Sequence, residues 1–549
     1  MGSYLKTVHD GDIRKRDLIP ALTEDEKHGG HARRVMESYE KWFAEFNKAE
    51  LDILYILGLF DRPAAKEAID VLKEKPAIKG LTDRLEDLSY SQWQKALEHL
   101  RDLRLMAKKD QNRPDTLDCH PLIREHFGEK LKSRNPKAWE EAHLRLYEYY
   151  KNLPEKEYPD TLEEMEPLFA AVRHGCLAGR HQEAMDDVYW ERIRRKDEAY
   201  TVKKLGAFGA DLACLSSFFE SPWDKPAIGL PDDKKAALLN WAGFRLRAVG
   251  RLEEAVQPMK AGLEMRIKEK NWLEAAKDVN NLSELSLTLG EVKEAEKYAK
   301  QSVKFADRGG DGFRMEVGRT TLADAHHQAG RRKEAENLFI EAEEMQKKRE
   351  PASPYLYSLQ GFQYCDLLIS SGRYREALER AKTTLEWMKN DPNTPILTIV
   401  LDYLTLGRAL MLQSIQDKSE DFSKAENYLN QAVDGLRKAG TQHHLPRGLL
   451  TRAALYRRQK NFSPSWEDLD EVREIAEYDK MRLHLADYFL EASRNIKYQL
   501  AGSSWQLPDN SYQIIEDGEK LSLSKEGMEA RFRAYMAKAE KLVKETGYH

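Results

Sequence analysis

The sequence predicts a mainly α-helical protein in which an α-α superhelical array of hairpins follows a smaller N-terminal helical domain. Three observations predict it. A short phrase recurs four times in the second half of the chain, apolar residues return at three- and four-residue intervals almost throughout, and no cysteine or glycine-rich framework competes with a helical arrangement. At 549 residues the chain is too long for one small domain. Its 41% hydrophobic and 33% charged residues exclude both a disordered chain and a membrane-embedded one. Lys+Arg 88 against Asp+Glu 93 leave a net charge of −5, so no global basic field draws in nucleic acid or anionic lipid. Cys119, Cys176, Cys214 and Cys365 are far apart and form no CxxC pair, which fits a reducing compartment and argues against a zinc site. The start has no signal-peptide pattern, and no uncharged apolar run reaches the ~18 residues of a membrane span, so a cytoplasmic location is expected.

The recurring phrase is Gly-x-x-x-Glu-Ala, at Gly250, Gly290, Gly330 and Gly372, with spacings of 40, 40 and 42 residues. A helix that closes on glycine can end in the left-handed conformation, and a carboxylate just beyond suits the positive start of the next helix. Each phrase therefore predicts a helical hairpin. Twelve residues before each phrase's alanine stands a small residue (Gly243, Ser283, Ala323 or Cys365), and seven after it another (Gly262, Ser302, Ala342 or Thr384). Small side chains there let antiparallel helices approach closely, while Leu246, Leu282, Leu322, Leu368, Met259 and Phe339 fill the core. Weaker copies flank the four: Gly179 opens the phrase with Val172 and Glu191 at the partner positions, and Ala425 and Trp466 continue the series. Atypical end repeats are expected of capped solenoids. The array extends to about Asn495, Gly502 to Ser511 reads as a loop, and Lys525 to Glu545 as a final helix.

The N-terminal part has a different unit. Leu51, Ile53, Leu54, Ile56 and Leu57 mark a buried helix ending near Gly58, and Trp93, Ala96, Leu97, Leu100 and Leu103 mark a later one. Two short strands, 105–107 and 117–119, are expected around the polar turn at Asn112 to Asp115, and Pro121 suits the first position of another helix. Helices followed by two short strands around a turn describe a winged helix.

The small-residue offsets of twelve and seven resemble those of the tetratricopeptide repeat, with a longer period than that family's usual unit. The segment from Leu117 to Phe127 resembles the end of the winged-helix subdomain in signal-transduction ATPases with numerous domains (STAND), the class of NB-ARC-like switches. Tyr4 to Phe43, with Gly29-Gly30-His31, is similar to the tail of the helical subdomain that precedes it. The resemblance implies that His120 contacts the phosphates of bound ADP, that ADP or ATP serves the parent protein, and that the repeat array is its sensor. No G-x-x-x-x-G-K-[ST] loop occurs, so the nucleotide core is absent from these residues and no cofactor is expected in this chain by itself. The expected organisation is 1–47 as that helical tail, 48–132 as the winged helix, 133–235 as a helical connector with a degenerate first repeat, 236–497 as the array, and 498–549 as a loop and capping helix.

No catalytic signature occurs (no G-x-S-x-G, no H-E-x-x-H, no Rossmann fingerprint), so a non-catalytic regulatory module is expected. The histidine pairs 326–327 and 443–444 point about 100° apart on a helix and do not chelate by themselves; His326 falls on the repeat's aromatic core position. The basic clusters Arg14-Lys15-Arg16 and Trp190 to Lys196 lack aromatic interleaving. The prospective recognition helix, Gln92 to Leu103, mixes Glu98 and Asp102 with Lys95 and Arg101, so nucleic acid is not the expected partner. A protein, peptide or small effector is expected on the concave face, and the missing nucleotide domain is a second partner. Exposed candidates on the first helices are Asn240, Arg247, Asn280, Asn281, Arg319, Thr320, Asp324, His327, Tyr357 and Gln363. Two alternatives stay open: a winged-helix transcription regulator with a repeat sensor, and a free-standing interaction scaffold.

Overall fold

A computed structural model of the chain describes residues 30–391, 393–501 and 511–549. The cluster at Arg14, most of the helical tail and the loop expected from Gly502 lie largely outside the described residues. The chain divides into two compact units, Met1–Ile193 and Arg194–His549.

The first unit is built from α1 (Gly30–Phe46), α2 (Lys48–Leu57), α3 (Lys66–Leu72), α4 (Tyr90–Asp102), α5 (Pro121–Arg134), α6 (Pro136–Asn152) and α7 (Leu162–Leu177). Its core gathers Phe43, Leu54, Leu72, Leu81, Leu100 and Phe127, all fully buried. α2 and α5 touch backbone to backbone: a Cβ on Gly58 would stand 2.4 Å from the Gly128 nitrogen, so both positions need glycine. Ser89 and Gln92 close a capping box at the start of α4. His143 of α6 and His174 of α7 meet Nδ1 to Nδ1 at 2.8 Å. Burial pushes His143 well below the ordinary histidine range and His174 down to about 3, so the pair is neutral.

In place of the two paired strands expected around Asn112 there is one antiparallel bridge, Ala64 with Leu117, and one bond from the Ala107 N–H to the Asp118 carbonyl, 2.8 Å. The run 108–116 carries no large apolar residue and no two-residue turn to set a hairpin register. The phrase at Gly179 does produce a turn with positive φ after α7, but its second helix is a π-helical segment, Ala184–Ile193.

After two short helical turns the second unit has α8 (Phe208–Ser216) and a small hairpin of β1 (Phe219–Ser221) and β2 (Lys225–Pro226), within the stretch expected as a helical connector. Leu212, Leu215 and Phe218 are buried there. Asp211 receives Arg245 Nε at 2.7 Å and the Thr201 hydroxyl at 3.0 Å, which ties the segment to the array.

The array is α9 (Asp232–Ala248), α10 (Leu252–Lys268), α11 (Trp272–Thr288), α12 (Val292–Gly309), α13 (Gly312–Gln328), α14 (Arg332–Arg349), α15 (Ser358–Ser370), α16 (Tyr374–Lys389), α17 (Ile396–Gln416), α18 (Ser423–Ala439), α19 (Leu445–Arg458), α20 (Phe462–Tyr478) and α21 (Arg482–Leu500). β3 (Tyr512–Glu516) and β4 (Glu519–Leu523) pair antiparallel before the last helix, α22 (Lys525–Thr546). This is a mainly helical, α-α superhelical tetratricopeptide-like fold. Asp517 and Gly518, both at positive φ, make the β3–β4 turn; an Asp-Gly pair is the sequence signal for it, and the loop expectation passed it over.

The phrase glycines work as expected: Gly250, Gly290, Gly330 and Gly372 have φ of 84, 80, 77 and 77°. The next residue's N–H bonds five residues back, as from Glu291 to the Ser286 carbonyl at 2.7 Å, satisfying a helix-end acceptor. The small-residue triplets are buried. At two of them the small residue also donates across the hairpin, Ser283 Oγ to the Ala295 carbonyl at 2.8 Å and Cys365 Sγ to the Ala377 carbonyl at 4.0 Å. α17 is the one described helix long and apolar enough to cross a membrane; 56% of that stretch is buried and it carries Asp402 and Arg408.

The array also closes on itself. A Cβ on Gly250 would stand 2.2 Å from an Asp479 carboxylate oxygen, and one on Gly290 2.7 Å from the Arg482 Cβ. Ala476 and Met481 share a core with Leu246, Leu252 and Leu285, while Leu483 packs with Leu287 and Val292. Lys480 reaches Glu253 at 2.6 Å across 227 residues, and the His549 N–H donates to the Gln328 carbonyl at 3.0 Å. The turns of the first three hairpins thus hold the α20–α21 loop and the C-terminal residues.

Candidate functional site

Closure turns the concave face of the array into a lumen. Its cavity, about 820 Å³, is lined by one stripe from each of several first helices. On α19 the stripe is Arg447, Leu450, Thr451, Ala454, Arg457 and Arg458, an i, i+3, i+4, i+7 pattern that keeps one helical face inward. α21 contributes His484, Asp487, Glu491, Arg494 and Lys497 at the same spacing; α17 contributes Leu404, Arg408, Met411 and Ile415; α15 contributes Phe362 and Asp366. Tyr548, beyond α22, completes the wall and donates its hydroxyl to Asp487 at 3.0 Å. Burial pushes the Asp487 carboxyl up to about 6, and Tyr548 lies well above the ordinary tyrosine value. Burial also pushes His484 down to about 3, so it faces the lumen as a neutral imidazole.

The ten candidates named from the sequence are not exposed as expected, and none lines this cavity. Asn240, Arg247, Asn280, Thr320, Asp324, His327 and Gln363 are buried, and Asn281, Arg319 and Tyr357 are half-buried. Most of them belong to a ladder of hydrogen bonds between successive first helices. Asn281 Nδ2 donates to Asn240 Oδ1 at 3.1 Å and the Thr321 hydroxyl donates to Asn280, each pair 41 residues apart. Gln363 Nε2 donates to Asp324 at 3.2 Å over 39 residues, and His327 Nε2 lies 3.0 Å from the Ser370 hydroxyl over 43. Arg247 pairs with Glu284 at 2.7 Å, and Arg408 with Asp366. The rungs have close to the repeat's own spacing because corresponding stretches of neighbouring first helices stand side by side. The sequence identified these residues as polar but not the helical phase that separates a rung from a lumen wall. The stripe on α19 was the signal that distinguishes them.

The remaining candidates have local partners. Arg319 bridges Glu341 at 2.6 Å and Asp307 at 2.8 Å, the Thr320 hydroxyl donates to the Val317 carbonyl at 3.0 Å, and the Tyr357 hydroxyl reaches Glu350 at 3.5 Å. His326, assigned to core packing, is half-buried and its Nδ1 accepts from Arg331 Nε at 3.0 Å. His443 and His444 are buried with ring centroids 4.2 Å apart, and burial keeps both neutral. Among the described residues no cluster of His, Cys, Asp and Glu can hold a metal, and all four cysteines are buried and form no disulfide.

His120 caps α5, with its Nδ1 accepting from the Leu122 N–H at 3.2 Å. An accepting Nδ1 puts the proton on Nε2, and the exposed ring can offer that donor to a phosphate oxygen. The residue present therefore fits a nucleotide contact, although the glycine-rich loop that would hold the phosphates is not in this sequence.

No protein-family profile and no curated protein matches the chain. Among solved structures it is similar to a STAND protein with a tetratricopeptide repeat sensor from Pyrococcus horikoshii, at 15% identity and TM-score 0.39, covering 93% of this chain and 66% of that one. It is also similar to a Rap protein complexed with competence and sporulation factor (14% identity, TM-score 0.45, 76% and 96% covered) and to aspartyl phosphate phosphatase F from Bacillus subtilis (13%, 0.37, 73% and 88%). The chain spans just under two thirds of the STAND protein's length. At these scores the assignment of helical hairpins rests on the chain's own geometry.

Proposed function

We propose that this chain is the sensing and regulatory part of a signal-transduction NTPase, in which a peptide or small effector enters the lumen of the array and the N-terminal unit, a winged-helix equivalent, relays its presence to a nucleotide-binding domain. The observation that carries this reading is the lumen itself. It is a concave space of about 820 Å³ open to solvent at one side, within the range of ligand cavities, with apolar wall positions and convergent charged groups. Ligand binding biases a switch only if the array holds the ligand differently in its two states, and a closed ring of hairpins offers such a pair of states by opening at the α20–α21 loop. His120 would then act on the nucleotide supplied by the other domain, in a cytoplasmic protein. The chain by itself hydrolyses nothing.

The test is a melting screen of the purified chain beside Ala454→Trp, which fills the lumen with an indole. Peptides or metabolites that raise the melting temperature of the unmodified chain should leave the variant unmoved, and ATP should shift neither. Compounds that stabilise both proteins equally, or phosphate release from ATP by the chain alone, would contradict the proposal.

A further inference from the structure

The lumen is unevenly charged. Six cationic side chains line it (Arg408, Arg447, Arg457, Arg458, Arg494 and Lys497) against three carboxylates, Asp366, Asp487 and Glu491. All three carboxylates are already engaged: Asp366 by Arg408, Asp487 by the Tyr548 hydroxyl at 3.0 Å, and Glu491 by Arg457 at 2.5 Å and Arg494 at 3.2 Å. Arg458 and Lys497, on the facing stripes of α19 and α21, have no carboxylate partner among the described residues. The Tyr498 ring, which also lines the lumen, lies 4.7 Å from the Arg457 guanidinium and 5.3 Å from that of Arg458, which orients both arginines. The α17 wall is apolar apart from Arg408, which Asp366 engages, with Leu404, Met411, Leu412 and Ile415. Uncompensated cations in a concave, partly apolar wall focus a positive potential there.

Resting on the reading of the lumen as the ligand site, we propose that its ligand is a short acidic peptide, whose carboxylates meet Arg458 and Lys497 and whose apolar side chains lie along α17. A bare inorganic anion would leave the α17 wall in water, and a cavity of about 820 Å³ has room for several residues. Arg458 supplies a fork of donors suited to a carboxylate and Lys497 a point charge, so two adjacent acidic groups satisfy both. The apolar wall sets the second requirement, which separates this ligand from polyanions in general.

The experiment is affinity selection from a random hexapeptide pool: the full chain is equilibrated with the pool, passed through a sizing column, and the retained peptides are sequenced. Peptides combining Asp or Glu with Leu, Ile, Met or Phe should be enriched about tenfold, as expected for charge-assisted hydrogen bonds. The pair Arg458→Gln with Lys497→Gln should lose the acidic enrichment and keep the apolar one. Lys382→Gln, on α16 outside the cavity, should change nothing. Ala454→Trp should retain no peptide. Retained peptides rich in Lys or Arg, or of unaltered composition, would overturn the acidic assignment while the lumen stands if Ala454→Trp still abolishes retention. Acidic peptides held equally by Ala454→Trp would overturn the lumen itself, and retention of no peptide by the unmodified chain would overturn the proposal. Melting curves of each variant separate lost binding from lost fold.

Discussion

Two seams run along the array, and opposite chemistry holds them. Within each hairpin the contact is apolar and tight, with small residues such as Ala323, Ala335 and Ala342 letting the helices meet, and Phe339 carries the apolar contact on to Tyr364 of the next hairpin at 4.9 Å. Between successive first helices the contact is polar, a chain of amides, carboxylates and hydroxyls spaced by the repeat period. Non-directional packing tolerates small shifts, whereas a hydrogen-bonded rung fixes one helix against the next. The difference teaches how an array can be both stable and of defined curvature: the apolar seam supplies cohesion, and the rungs set the register that brings the α20–α21 loop back onto the first hairpins.

The comparison breaks most visibly at the apolar seam. Phe339→Ala should destabilise the second unit by about 3–5 kcal/mol through lost burial and the cavity left behind, measured as a lower midpoint in chemical denaturation. Equal stability of the variant would show that Phe339 is not a core residue. Next comes the polar seam. Asp324 accepts from Gln328 at 3.0 Å and Gln363 at 3.2 Å, so Asp324→Ala strands the buried Gln363 amide and frees the half-buried Gln328, and should cost about 1–3 kcal/mol. Burial raises the Asp324 carboxyl above its ordinary range, so Asp324→Asn, which keeps an acceptor without a charge to bury, should cost less than the alanine variant.

The smallest effect concerns Asp402 on α17, where both carboxylate oxygens accept from the Thr384 hydroxyl at 3.1 Å and burial pushes the group up to about 7. The unfolded chain releases this proton near pH 4 while the folded one holds it, so stability falls as pH rises from about 4 and levels off above about 7. Asp402→Asn should flatten that slope and raise the melting temperature at pH 8, by about 2–4 °C for each kcal/mol recovered. A variant that melts lower at pH 8 than the native chain would contradict the assignment.

The apolar seam was legible in the sequence because it repeats as residue types: Gly243, Ser283, Ala323 and Cys365 are small in every copy, and glycine marks each turn. The polar seam was not, because its rungs differ in type from copy to copy. Asn240 with Asn281 and Asn280 with Thr321 share a place in the structure but only their first residue, and Asp324 with Gln363 makes its rung from a position one turn further along. Residue type alone therefore does not separate a buried rung from an exposed polar residue on a first helix, whereas the lumen stripe of Arg447, Ala454 and Arg458 is plain in its spacing. Closure was hidden for another reason. It joins residues more than two hundred positions apart, such as Glu253 and Lys480, which no local pattern connects.

That closure can be measured directly. With spin labels on Glu253→Cys and Lys480→Cys, leaving the four buried native thiols unlabelled, pulsed electron-electron spectroscopy reads the distance between the first hairpin and the α20–α21 loop. The structure predicts one short, narrow distance distribution in the free chain. A long or broad distribution would mean an open superhelix without a lumen, and would contradict the account.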